Sequence, residues 1–134
     1  MTNGESERGP ILEKIGGNRV RVIIMGEVSS KSNSRKLVSF GNRLAPIKSD
    51  KSRAWIRSAE RQIPISPKDD LLTGDLRLTM RLYYASQRPD LDPSLVLDFL
   101  QGRVYKNDRQ VREMHLFHAI DKIRPRVVGI IEPI

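Results

Sequence analysis

Asp90-Leu91-Asp92 places two carboxylates two residues apart, and Asn107-Asp108 brings a third after a short apolar run. Carboxylates repel one another and repel DNA phosphates, so grouping them in a chain of formal net charge +8 needs a physical reason. A hard divalent cation supplies one. Mg²⁺, or Mn²⁺ in its stead, takes oxygen ligands, usually one to three carboxylates completed by water and substrate phosphate. In an extended segment Asp90 and Asp92 point the same way, about 7 Å apart, close enough to share an ion. One short helix and a turn separate them from Asp108, which can fold back beside them. Asp90, Asp92 and Asp108 are therefore the candidate metal ligands and catalytic residues. The chemistry they suit is metal-assisted phosphodiester hydrolysis. Each also has an ordinary use: Asp92 as a helix cap before Pro93, Asp108 as a turn residue, Asp90 as a solvated loop charge. Their joint placement, not any one of them, favours chemistry.

The rest of the charge is basic. Among 134 residues, 24 are Lys or Arg and 16 are Asp or Glu, an excess that attracts polyanions, nucleic acid first. Residues 31–57 carry Lys31, Arg35, Lys36, Arg43, Lys48, Lys51, Arg53 and Arg57 against Asp50 alone, with Ser and Asn interleaved. Lys31, Asn33, Arg35, Lys36, Lys48, Lys51 and Arg53, joined by Arg88, are the candidate DNA-binding residues, gripping backbone phosphates. Aromatics amount to 5%, too few for a binder that works by stacking single-stranded bases. With no cysteine there is no thiolate zinc site, disulfide framework or cysteine nucleophile, and two histidines do not make a structural zinc centre. His115 and His118, three apart in an expected strand, point to opposite faces and read as structural. There is no P-loop, GxGxxG or histidine-based serine triad, so no small-molecule cofactor is expected. No apolar run approaches the roughly 20 residues of a membrane span. The polar opening MTNGESERGP does not read as a signal peptide, and a cytoplasmic, nucleoid-associated protein with no membrane partner is expected.

The elements that must position these groups follow from periodicity. Residues 1–17 mix polar, Gly and charged types and read as a flexible N-terminal arm; residues 18–134 read as a single domain. Val20 to Val28 is a β-branched strand, and residues 29–50 read as a long loop. Ser49 or Asp50 caps a helix through Trp55, Ala59 and Ile63, ended by Pro64 and Pro67. Leu76, Leu78, Met80 and Leu82 alternate with Arg77, Thr79, Arg81 and Tyr83, the clearest strand in the chain. The carboxylates begin just past its end. Pro93 then opens a short helix with an apolar stripe of Leu95, Val96, Phe99 and Leu100, and Gly102 stops it. Val111 to Ile120 and Val127 to Ile131 are two further strands. The expected fold is α/β (α+β): a small mixed β-sheet with two helices on one face, in the order β-α-β-α-β-β.

The segment DLDPSLVLDFLQGRVYKNDRQV resembles the core signature of the RusA-type Holliday junction resolvases. That signature opens Asp-Leu-Asp, runs through an apolar helix with an internal Asp and a Gly, and closes on an acidic turn followed by Gln-Val. The matching residues are Asp90, Leu91, Asp92, Asp98, Leu100, Gly102, Asp108, Gln110 and Val111. Ser30-Lys31-Ser32-Asn33-Ser34 resembles the Ser/Asn-rich segment after the family's first strand. The resemblance implies a RusA-like mixed fold and a homodimeric endonuclease. It further implies that Mg²⁺ is used to nick two strands of a four-way DNA junction symmetrically, in recombination and repair. Asp90, Asp92 and Asp108 carry over as metal-binding catalytic residues. The chain departs from the signature at three points. Pro93 replaces the usual Asn, Ser94-Leu95-Val96-Leu97 offers no counterpart to a helix lysine, and Asn107 replaces the first of two acids.

Together these readings describe a Mg²⁺-dependent, structure-selective DNA endonuclease acting as a two-fold dimer on branched DNA. The alternatives are a catalytically weak or inactive nucleic-acid-binding protein on the same fold, and a basic RNA-associated structural protein.

Overall fold

The computed structural model describes residues 9–29, 35–40, 43–48 and 50–134, the two strands within 35–48 by backbone alone. The strands are β1 (Ile11–Lys14), β2 (Val20–Met25), β3 (Arg35–Phe40), β4 (Arg43–Lys48), β5 (Leu76–Tyr84), β6 (Val111–Ile120) and β7 (Arg126–Pro133). The helices are α1 (Asp50–Gln62) and α2 (Ser94–Leu100). Five strands form one sheet in the order β1-β2-β7-β5-β6, in which β5 and β6 are parallel and the other pairings antiparallel. Strands β3 and β4 form a separate two-stranded sheet. The mixed α+β architecture is the expected one, with three more strands than the periodicity suggested.

Two expectations are corrected. The arm read through residue 17 includes β1, whose Ile11 and Leu12 pair with Ile23 and Val22. Gly16, Gly17 and Asn18 all adopt positive φ, so they form a tight reversal between two strands rather than the end of a tether. The loop read over 29–50 contains the β3–β4 hairpin, with Phe40 opposite Arg43. Its sequence hides it, because Pro46 and scattered charges break the strand pattern.

Strand β5 is the backbone of the core. Leu76, Leu78, Met80, Leu82 and Tyr84 are buried, while the residues between them are partly or fully exposed. A period of two on a pleated strand turns one face inward. Onto that face both helices contribute buried residues: Trp55, Ala59 and Ile63 from the α1 side, and Leu95, Val96, Phe99 and Leu100 from α2. Each fully buried large aliphatic side chain contributes about 1.5–3 kcal/mol. Trp55 meets Phe99 edge-on, with ring centroids 5.6 Å apart, which locks the two helices together. α2 is the crossover between parallel β5 and β6. It leaves the C-terminal end of β5 at Asp92 and returns the chain to its N-terminal end at Asp108.

Candidate active site

The Asp90-Leu91-Asp92 turn is tied to the core by Tyr84, the last residue of β5. Its phenol is 1% exposed, and its hydroxyl donates to the carbonyl of Asp90 at 3.0 Å. Burial raises the Tyr84 pKa, helped by the carboxylates of Asp92, Glu27 and Asp90 and opposed by the backbone of Asp92. The other face of the ring stacks on His118 at 4.7 Å, and His118 Nε2 lies 3.3 Å from the carbonyl of Pro89. His115 instead meets Glu113, at 2.5 Å. The two histidines therefore do separate jobs, and His118 belongs to the wall that carries the aspartates.

Asp92 caps α2. Its Oδ1 accepts from Ser94 N at 2.9 Å, and Pro93 takes helical angles and accepts from Leu97 N. The ordinary role and the candidate catalytic one thus fall on the same side chain.

Glu27 is the residue that sequence reasoning missed. Gln62, the last residue of α1, binds both backbone groups of Met25, donating to its carbonyl at 2.9 Å and accepting from its N–H at 2.7 Å. From there residues 25–29 run back along α1, and Ser29 reaches Ser52 through a buried hydroxyl pair at 2.6 Å. Between those anchors Glu27 Oε2 accepts from Ala85 N at 2.7 Å, and Oε1 accepts from Lys51 at 3.2 Å. The signal was available: Glu27 is the sole acid between Glu13 and Asp50 and stands just before the basic stretch.

Asp108 lies elsewhere. It opens a 3-10 turn, Asp108–Gln110, directly before β6, and its N–H donates to Gln101 Oε1 at 3.0 Å. Gln110 donates to the carbonyls of Leu72 and Gly74, which precede β5. Asp108 is therefore at the start of β5 and the Asp90–Asp92 pair at its end. The nine residues of β5 span roughly 26 Å at about 3.3 Å per residue, with the two acidic points toward its opposite ends. Asn107 Oδ1 is committed to Arg109, accepting from its N–H and its Nε. A cavity of about 320 Å³ lined by Lys68, Thr73, Lys106 and Gln110 opens at this same end. Tyr105, buried beneath, donates to the Leu97 carbonyl at 2.8 Å, and burial, then Asp108 and Asp98, push its pKa up.

The expectation that all three aspartates meet within one chain is thus not what the fold provides. Among the described residues no three His, Asp or Glu side chains cluster tightly enough to hold a metal ion. The chemistry of the Asp90–Asp92 pair still fits Mg²⁺ or Mn²⁺: two hard carboxylates on a short turn, the number such an ion commonly takes from protein when substrate phosphate completes its shell.

Of the candidate DNA contacts, Lys51 and Arg53 lie in the first turn of α1, Lys51 on Glu27 and Arg53 on Asp50. Arg88 is exposed in the turn between β5 and Asp90. Lys51, through Glu27 and Ala85, and Arg88 stand at the same end of β5 as the pair. Arg35, Lys36 and Lys48 lie in the β3–β4 hairpin, where the backbone alone is described, and Lys31 and Asn33 fall outside the described residues. Among the described residues no helix is long and apolar enough to cross a membrane.

The family model for Endodeoxyribonuclease RusA matches residues 26–132, a span holding every aspartate of the site and both helices. A comparison with curated proteins returns no match. With four-fifths of its length inside that match, and a mixed sheet whose central crossover carries the Asp-Leu-Asp turn, the chain belongs to the RusA endodeoxyribonuclease family, whose members resolve Holliday junctions.

Proposed function

We propose that this protein is a divalent-cation-dependent endonuclease that acts as a homodimer on four-way DNA junctions and nicks two strands symmetrically. The observation that carries it is the Asp90-Leu91-Asp92 turn, held by a buried phenol at the end of β5 in a chain of net charge +8. Asp90 and Asp92 would hold the ion, with Mg²⁺ the expected species and Mn²⁺ a substitute. When bound, the cation lowers the pKa of the attacking water and offsets charge on the leaving oxygen. The protein's own residues do the rest. Tyr84 and the Asp92 cap on Ser94 fix the turn, and Arg88 and Arg53 draw the backbone in.

Asp108 enters through the dimer. It stands toward the other end of β5 from the pair in its own chain, so a second copy related by a two-fold axis is what can supply it. Each site then takes Asp90 and Asp92 from one copy and Asp108 from the other. Two such sites lie on one particle, as two equivalent strands of a junction require. The test is cleavage of labelled four-way junction, fork and linear duplex, with and without Mg²⁺. Paired nicks in the junction alone, lost in EDTA, are expected. Binding without cutting in either Mg²⁺ or Mn²⁺ would establish the silent DNA-binding alternative. Equal binding to junction, duplex and RNA would point to the structural RNA-associated one.

A further inference from the structure

The end of β5 carries a charge arrangement that the aspartates do not explain. The Glu27 side chain is 21% exposed and joins Ala85, the residue after β5, to Lys51 on α1. The Lys51 side chain is 60% exposed, so its ammonium is anchored on one side and open on the other. A half-sunk carboxylate holding a single surface lysine adds little to stability. Its position is more telling. Glu27 holds the N–H of Ala85, the residue next to Tyr84, and Tyr84 holds the Asp90 carbonyl, so Lys51 sits at the rim of the site.

The site needs such a charge. A phosphodiester under attack gathers negative charge on its non-bridging oxygens, and neighbouring carboxylates oppose that. Helix α2, SLVLDFL, carries no Lys or Arg. Arg53 is engaged by Asp50. Lys106 lines the cavity at the far end of β5, and Arg88 is exposed with no side chain among the described residues to aim it.

We propose that Lys51 is the fixed cation of the reaction site, its ammonium contacting a non-bridging oxygen of the phosphate held at Asp90 and Asp92, with Glu27 as the positioning residue that aims it. This rests on the nuclease reading above. No bond to Lys51 forms or breaks; it stays an ammonium throughout and neutralises charge as that charge develops.

The experiment is single-turnover cleavage of a saturating four-way junction in Mg²⁺, read beside junction affinity and Tm. Lys51→Met lowers the rate about 100-fold, as loss of one preorganised charge-stabilising group does. Its Kd stays within about threefold, and because the Lys51 side chain is exposed and Glu27 keeps its bond from Ala85 N, its Tm stays within about 2 °C. Lys51→Arg restores most of the rate. Glu27→Gln keeps an acceptor for Ala85 N yet cannot draw the ammonium, and lowers the rate about tenfold. The double variant is no slower than Lys51→Met alone, because Glu27 acts through Lys51. A metal-free readout accompanies it: junction DNA in EDTA protects Lys51 from an amine-acylating ester, measured by mass spectrometry of the digested protein. A Lys51→Met enzyme that cuts at the wild-type rate, or one that loses only affinity, overturns the assignment while leaving the nuclease reading intact. A wild-type protein that does not cut at all in either metal overturns both.

Discussion

A single side chain at the start of α2 can serve folding and chemistry together, and a substitution can separate the two. Asp92 caps the helix with one oxygen, and Asn caps about as well as Asp. Asp92→Asn should therefore leave Tm and junction binding intact while cleavage falls at least about 100-fold. Asp92→Ala should also lose about 1 kcal/mol of stability with the cap. Unchanged cutting by Asp92→Asn removes Asp92 from the mechanism. The tyrosines make a second prediction at this scale. Tyr84 and Tyr105 both titrate above the ordinary value of 10.0, chiefly because burial disfavours the phenolate and nearby carboxylates add to it. For groups whose folded-state pKa is raised, the stabilising contribution is complete below pH 10 and is lost as pH rises through the folded values. Alkaline denaturation should accordingly set in above pH 10, and Tyr105→Phe should move its midpoint upward. An unmoved midpoint would assign the alkaline transition to other groups.

At the scale of elements, the crossover β5-α2-β6 does most of the positioning, and its return depends on one residue. Gly102 follows α2 with φ +83, and a Cβ built there would meet nothing within 4 Å. The penalty for a side chain is thus purely conformational, and Gly102→Ala should destabilise the fold by about 1–2 kcal/mol, read by urea denaturation. No change in the midpoint would mean the turn relaxes freely. The same crossover explains the separation of the aspartates. A seven-residue helix running back along its strand, followed by residues 101–107, carries the chain from one end of β5 to the other. Spacing along the sequence, one helix and one turn, resembles proximity but delivers distance.

For the whole molecule, the decisive question is whether each site is built from one copy or two. Asp92→Asn and Asp108→Asn should each be inactive alone. Mixed and allowed to exchange subunits, they should regain nicking at one strand but not paired incision. In the heterodimer one site unites both lesions, while the other receives Asp92 from one copy and Asp108 from its partner, both intact. A mixture as inert as its parents would return Asp108 to its own chain. Charge is also a property of the whole: neutralising Lys31, Arg35 and Lys36 together should weaken junction binding and flatten its dependence on salt, because fewer counterions are released.

The sequence alone determined the inward face of β5, the apolar stripe of α2 with its cap and its glycine stop, and the family, because these depend on local periodicity and on side-chain type. The alternation of Leu76, Leu78, Met80 and Leu82 needs no partner strand to be read, and a proline after an aspartate announces a helix start by itself. The β3–β4 hairpin was less legible, although Gly41-Asn42 between two candidate strands is a recognised turn signal. Tertiary structure decided which ends of those elements meet. Glu27 and Lys51 are joined only because residues 25–29 run back along α1, and Asp108 is parted from Asp90 only because β5 and β6 are parallel. Direction and register of pairing are long-range properties, and no window of neighbouring residues contains them.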